Sequence, residues 1–387
     1  MLGHNAKWNF DLHFQNDVGD GFIFCAYSFP IDYFEKKKVS GYALDKILLN
    51  SIMDFQFYGK KESSELSTGK LHTYPFHPAN VEDSGVTSEY ILTCIEQAIN
   101  FQEELGLKKI VIPNYYEHFE LKNLTFIIKK VNTWLKANRR QGHEYYMTIP
   151  ITNHMVVDKE KMESLLGELV AANIVFDGYY IACETKPENR RKISTEIKYL
   201  INLSRFFRIL NKQEFKIIYA YANWDSLLFF AQTDIDYISV GTFENLRNFS
   251  LKRFTTSVEG GGPSDGWYFS EKLLNVVKAL YVPLLSDKGV LGVIENEENI
   301  FSDIILDEDY VWNNLKIEVQ KNYVVAVNSL FNSLAKFPAG KPRIQELLRL
   351  VNHASDCYDN LESRGVHLIE ESSNYHLDTW KIFLTSL

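Results

Sequence analysis

The residues best placed to do chemistry are carboxylates that follow apolar runs. Glu184 closes the run Tyr179-Tyr180-Ile181-Ala182-Cys183, and an apolar approach of this kind raises a carboxyl pKa toward that of a general acid. Asp225 and Glu244 each follow a comparable run, so the three are the candidate acid/base groups. Polar residues follow any buried strand, so each has a structural reading too; Glu184 has Lys186 and Arg190 nearby as ion-pair partners. Asn153, His154 and Trp224 stand at equivalent positions and are candidate substrate contacts; Ser28, Asp32, Asn114, Glu117, His118 and Thr242 also fall just past expected strand ends, where active groups would lie. In the segment Glu259-Gly260-Gly261-Gly262-Pro263-Ser264-Asp265-Gly266, the glycines Gly260, Gly261 and Gly262 allow close backbone approach to a phosphate, with Arg247 upstream adding charge. The same composition also makes a plain loop.

These groups are useful only if strands bring them to one rim. Short, nearly continuous apolar runs recur at Phe22–Phe29, Lys109–Tyr115, Glu144–Thr152, Gly178–Glu184, Phe215–Ala222 and Ile235–Gly241, with a seventh at Leu251–Val258. Parallel strands buried on both faces have this character. Helical patterns lie between them. Ser88–Leu105 opens after Thr87 and stops at Gly106; Asp158–Asn173 begins with a capping carboxylate and carries a stripe of Met162, Leu165, Leu166, Leu169 and Val170; Ser194–Leu210 repeats the plan. Strand–helix alternation over six or seven units predicts an α/β fold, a (β/α)8 TIM-barrel-like domain over residues 1–285. An insertion at about 35–86 includes a helix near Tyr42–Tyr58, and a helical C-terminal extension covers 286–387. An open doubly wound sheet is the alternative, although no G-x-G-x-x-G follows the first strand. With Glu184 after the fourth expected strand and Glu259 after the seventh, the pair would suit a retaining glycosidase, whose carboxyls stand ~5–5.5 Å apart.

Composition limits the function classes. The 387 residues are 45% hydrophobic and 24% charged with net charge −9, a balance that disfavours non-specific coating of nucleic acid. Charge is uneven: Glu184–Lys216 is locally basic, and Glu295–Asp309 holds seven acidic residues and no Lys or Arg. Such runs are solvated faces or partner contacts. Aromatics reach 14%, which fits a large core with tyrosine margins or a stacking surface. Cys25, Cys94, Cys183 and Cys357 are far apart with no zinc or disulfide spacing, and His118 and His154 lack an H-E-x-x-H partner, so no metal is expected. P-loop and G-x-S-x-G patterns are absent, and no cofactor is expected. No run of ~20 apolar residues and no leader-like start occurs, which predicts a cytoplasmic protein without a membrane span.

The stretch Phe215–Phe249 resembles the late barrel of tRNA-guanine transglycosylase-like proteins, in which a strand, a helix and an aspartate-bearing strand precede a basic segment. The resemblance implies a barrel, a nucleobase ligand and chemistry at a glycosidic bond. It sets Asp236 on the first acid of the family's D-x-x-D strand and Arg247 on the basic residue beyond. Ser239 stands where the family has its nucleophilic aspartate, and the family's cysteine-rich zinc site has no counterpart.

Together these readings predict a barrel enzyme acting on a nucleobase- or phosphate-bearing substrate, at a glycosidic bond, by carboxylate acid/base chemistry. Its ligand would be a small molecule or derived from nucleic acid. Two alternatives stand beside it: a non-catalytic barrel used for binding or assembly with a protein partner, and a carbohydrate-active glycoside hydrolase with Trp224 and Trp267 as platforms.

Overall fold

The computed structural model describes residues 1–4, 7–59, 69–81, 87–115, 121–188, 191–249, 266–313 and 316–386. Eight parallel strands form one sheet: β1 (Leu2–His4), β2 (Phe22–Cys25), β3 (Ile52–Asp54), β4 (Lys109–Ile112), β5 (Glu144–Ile151), β6 (Gly178–Cys183), β7 (Lys216–Ala222) and β8 (Tyr237–Gly241). Their ladder order is β3-β2-β1-β8-β7-β6-β5-β4, every pairing parallel. The two ends of that ladder, β3 and β4, pack against each other, so the sheet is a nearly closed (β/α)8-type barrel.

A side chain explains why the ladder stops there. Gln102, fully buried on α2 (Ser88–Glu104), donates from Nε2 to the Val111 carbonyl at 2.9 Å and accepts the Val111 N–H at 3.0 Å. In a parallel ladder a residue's N–H and C=O point to one side. The amide of Gln102 therefore stands in for the missing strand partner of Val111 on the β3 side of β4.

Alternation along the strands divides lumen from exterior. Ile23, Ile52, Val111, Tyr146, Tyr180, Ala182, Ile218 and Ala220 form one interior cluster. The intervening residues meet helices. Tyr145 Oη donates to Glu103 of α2 at 2.6 Å, Tyr179 Oη donates to the Leu169 carbonyl of α4 (Lys159–Leu169) at 2.5 Å, and Tyr219 packs on Phe207 of α5 (Ile197–Lys212) with ring centroids 5.0 Å apart. α1 (Asn9–Asn16) follows β1, and α3 (Leu121–Asn138) follows β4.

Six of the expected strands are present with shorter ends, and the expected strand at Leu251–Val258 lies outside the described residues. Two strands were not foreseen. β1 and β3 are three residues each, too short to show a period of two. β3 falls where a helix over Tyr42–Tyr58 was expected; the helix there is confined to Leu44–Leu48 and the chain then extends into the sheet. Glu184 consequently follows the sixth strand rather than the fourth.

By Cα proximity the chain forms two compact units. The first holds the barrel: Met1–Thr185, Arg205–Ala222 and Ile235–Val258. The second comprises Lys186–Ser204, Asn223–Asp234 and Glu259–Leu387. It contains α6 (Ser226–Gln232), the antiparallel hairpin β9 (Trp267–Ser270) and β10 (Asn275–Lys278), then α7 (Ile300–Leu306) and the C-terminal helices α8 (Ile317–Ala335), α9 (Lys341–Ser363) and α10 (Leu377–Thr385). Its interior is partly polar: the buried amides of Asn296 and Asn299 both donate to Asn322 Oδ1, and Asn296 and Asn322 both donate to the Phe269 carbonyl.

Candidate active site in the barrel lumen

Lumen positions of such barrels are normally filled by branched aliphatic side chains. Here a carboxylate sits among tyrosines. Asp54, the last residue of β3, is 1% exposed. Its Oδ2 accepts hydrogen bonds from Tyr58 Oη at 2.6 Å, Tyr180 Oη at 2.9 Å and Tyr221 Oη at 3.2 Å, and its Oδ1 accepts the Gln56 N–H at 2.9 Å. Tyr180 belongs to β6 and Tyr221 to β7, so the bonds cross the barrel. Tyr58 and Tyr221 hydroxyls lie 2.8 Å apart, and Gln56 Nε2 donates to Tyr221 Oη at 2.7 Å.

Local backbone irregularity makes this possible. Between β7 and β8 the register steps three residues on β7 (Tyr219 to Ala222) against two on β8 (Ile238 to Val240). The extra residue is a bulge, and Tyr221 takes φ +55° within it. Alternation from Ala220 would turn Tyr221 outward; the bulge puts both in the lumen cluster. Gln56 is also left-handed, at φ +57°. Each such non-glycine conformation costs of order 1 kcal/mol, and the two strained residues are bonded to each other.

Burial pushes the Asp54 carboxyl up, against the hydrogen bonds from Tyr58, Tyr180, Gln56 and Tyr221 that pull it down. Burial, with the neighbouring Asp54, drives Tyr58 and Tyr180 well above the usual phenol range, so both remain proton donors. The group can hold a proton at Asp54 Oδ2 or pass one between Tyr58 and Tyr221. Just past β4, Asn114 Nδ2 donates to the Thr148 carbonyl at 3.0 Å. Asn114 Oδ1 and Thr148 Oγ1 are buried with no hydrogen-bond partner among the described residues.

Glu184 stands just past β6, half-buried, with its N–H on the Ile151 carbonyl at 2.8 Å and its Oε2 accepting the Asn153 N–H at 3.1 Å. Asn153 is buried, its Nδ2 without a partner among the described residues. Glu184 also forms a parallel backbone bridge to Phe249. Phe249 in turn packs edge-on against Tyr58 (5.1 Å) and lies 5.6 Å from Tyr221, covering the lumen group. The strap that carries it is anchored: Arg247 Nε donates to the Gly241 carbonyl at 3.1 Å and Nη2 to that of Thr242 at 3.2 Å, while Asn248 bonds the backbone of Thr185. Glu184, Asn153 and Arg247 therefore gather at the C-terminal end of the barrel. Glu244 is exposed on the short turn Glu244–Leu246, and His154 is exposed with its Nε2 2.9 Å from Lys161 Nζ.

Asp225 and Trp224 belong to the second unit. Asp225 is 3% exposed, and burial pushes its carboxyl up to about 7, opposed by its own and the Ser226 N–H. Trp224 packs against Phe269 and Tyr323, its indole N–H without a partner among the described residues. Gly260, Gly261 and Gly262 lie outside the described residues, as do Glu117, His118 and Glu259.

A cavity of about 680 Å³ opens at the opposite, N-terminal mouth of the barrel, lined by Lys109, Glu144, Lys216, Asp236 and Tyr237 among others. Several of its charged groups have partners: Lys216 Nζ lies 2.5 Å from Glu144, Tyr146 Oη donates to the same carboxylate, Asp236 accepts the Ile217 N–H, and Lys109 lies over the Tyr237 ring. Among the described residues no group of three or more His, Cys, Asp or Glu could hold a metal ion, and no helix is long and apolar enough to cross a membrane.

The sequence reading passed over Asp54, Tyr58, Tyr180 and Tyr221. Asp54 and Tyr58 fall within the helix expected near Tyr42–Tyr58, and Tyr180 and Tyr221 within expected strands. The available signal was parity: Tyr180 and Ala182 share the face that leads to Glu184, and a tyrosine on a lumen face is unusual. Compared with known proteins, the chain matches no family model and no curated protein.

Proposed function

We propose that the chain is an enzyme performing carboxylate acid/base chemistry at the C-terminal end of its barrel, on a nucleobase-bearing substrate at its glycosidic bond. The observation that carries this reading is the buried Asp54 held by Tyr58, Tyr180 and Tyr221 across the lumen. A carboxyl raised by burial is suited to give a proton to a leaving group, and Glu184, half-buried on the same barrel end, supplies a second carboxylate. The acceptor-rich set of Asp54, Glu184 and Asn114 Oδ1 favours a ligand that donates hydrogen bonds, such as a base edge or a sugar hydroxyl. Access to Asp54 requires the Phe249 strap to lift, the kind of gating many enzymes use.

A non-catalytic reading draws on the completeness of that burial: the tyrosine group would then be a lock that fixes the barrel for a binding role. One experiment separates the two. The protein is incubated with panels of nucleosides, nucleotides and glycosides, and base or sugar release is followed by mass spectrometry. Under the enzymatic reading Glu184→Gln lowers turnover by about 10²-fold or more with an unchanged melting temperature. Turnover that survives in both Glu184→Gln and Asp54→Asn, or a complete lack of turnover across the panels, rejects the proposal.

A further inference from the structure

Two surface features are not used by the barrel's chemistry, and they match each other. On α5, Lys198, Ile201, Arg205, Arg208 and Lys212 follow at spacings of three and four residues, which places them on one helical stripe. Tyr199, Leu200, Leu203, Phe206, Phe207 and Leu210 take the buried side. The stripe is outward: Ile201 is 43% exposed, Lys198, Arg208 and Lys212 are exposed, and Arg205 reaches Glu163 at 2.7 Å. On α7, Phe301, Ser302 and Ile305 are buried while Ile300 (55%) and Ile304 (42%) are exposed beside Asp303 and Asp307. Glu308, Asp309 and Val311 (73%) continue that surface.

Each feature sets isoleucine among helix charges of one sign, with Glu163 beside Arg205 on the first and Lys321 over the Phe301 ring on the second. Like charges crowded on one face repel, and a partner of opposite sign removes that cost while covering the apolar side chains. We propose that the chain pairs with a second copy of itself, the basic stripe of α5 in one protomer seating on the acidic, isoleucine-bearing face of α7 in its partner. Made reciprocally, the contact occurs twice about a two-fold axis and closes a dimer; made once, it leaves a free face at each end and extends head to tail. The occupant is a second copy in either case, because both halves of the complementarity are on this chain.

Sedimentation velocity on the full chain tests this, at roughly 1–100 µM and about 50 and 500 mM salt. Wild type self-associates at low salt, and its dissociation constant rises about tenfold or more at high salt. Lys198→Glu with Arg208→Glu makes a monomer, and so does Asp303→Lys with Asp307→Lys. Mixed, these two proteins associate, because the reversed stripe of one meets the reversed face of the other. Should a charge-reversed protein fail to fold, Ile304→Ser serves in its place and weakens association severalfold at both salts. Monomeric wild type, association that the variants retain, or a mixture of folded variants that stays monomeric each overturns the proposal.

Discussion

Replacing Asp225 by asparagine should make the chain relatively more stable as pH rises. Its carboxyl has an ordinary value of 3.8 and stands at about 7 in the folded chain because burial disfavours the charge. A group raised by folding contributes stability that is fully present below its unfolded pKa and is lost as pH climbs through its folded pKa. The window is therefore about pH 4 to 7. Roughly three pKa units at about 1.4 kcal/mol each give a loss on the order of 4 kcal/mol across it. An asparagine side chain cannot ionise, so Asp225→Asn carries no such slope. His376 in the same unit is held neutral by burial down to about 3, which tilts wild-type stability the opposite way over pH 3 to 6.5. The readout is therefore the difference between variant and wild type, in which His376 cancels. Urea unfolding at pH 4.5, 5.5, 6.5 and 7.5 should show the asparagine variant gaining on wild type by about 2 kcal/mol or more from the first to the last. A difference that stays flat, or that falls with pH, would refute the account of Asp225 as a carboxyl destabilised by burial.

Asp54→Ala removes four hydrogen bonds to one buried acceptor and should cost about 3–5 kcal/mol by urea unfolding; a loss under about 0.5 kcal/mol would mean the tyrosines do not depend on it. Gly178→Ala should destabilise by about 3 kcal/mol or more, because a Cβ there would lie 2.1 Å from the Lys216 carbonyl oxygen, a backbone atom that cannot swing aside. Thermal melts of the alanine variant matching wild type would contradict that packing at the start of β6.

The long strands were legible because burial on both faces leaves a continuous apolar signature: β5, β6 and β7 stand where Glu144–Thr152, Gly178–Glu184 and Phe215–Ala222 were expected. The C-terminal helices were legible from their helical period, which burial of one face leaves in the sequence. Ile52–Asp54 was not, since three residues at the end of Ile47-Leu48-Leu49-Asn50-Ser51-Ile52-Met53-Asp54 fit a helical repeat equally well, and only pairing with Ile23–Cys25 decides the matter. Glu184, Asn153 and Arg247 were legible as rim residues because they trail strands. The lumen group was not, because its members are far apart in the chain, Tyr180 lying 126 positions beyond Asp54 and Tyr221 167 positions beyond it. No local pattern announces the bulge that turns Tyr221 inward.

The composition of that layer bears on why it is there. A lumen packed with isoleucine and valine would need no buried carboxylate and no left-handed tyrosine or glutamine, and replacing buried charge by well-packed apolar groups is often stabilising. Tyr221 and Gln56 instead hold strained conformations and bond to each other beside Asp54. Strain kept next to a buried titratable group is characteristic of sites that position protons. Burial beside Asp54 holds Tyr58 and Tyr180 as donors, which on the proposed reading leaves Asp54 as the group that would gain and lose the proton.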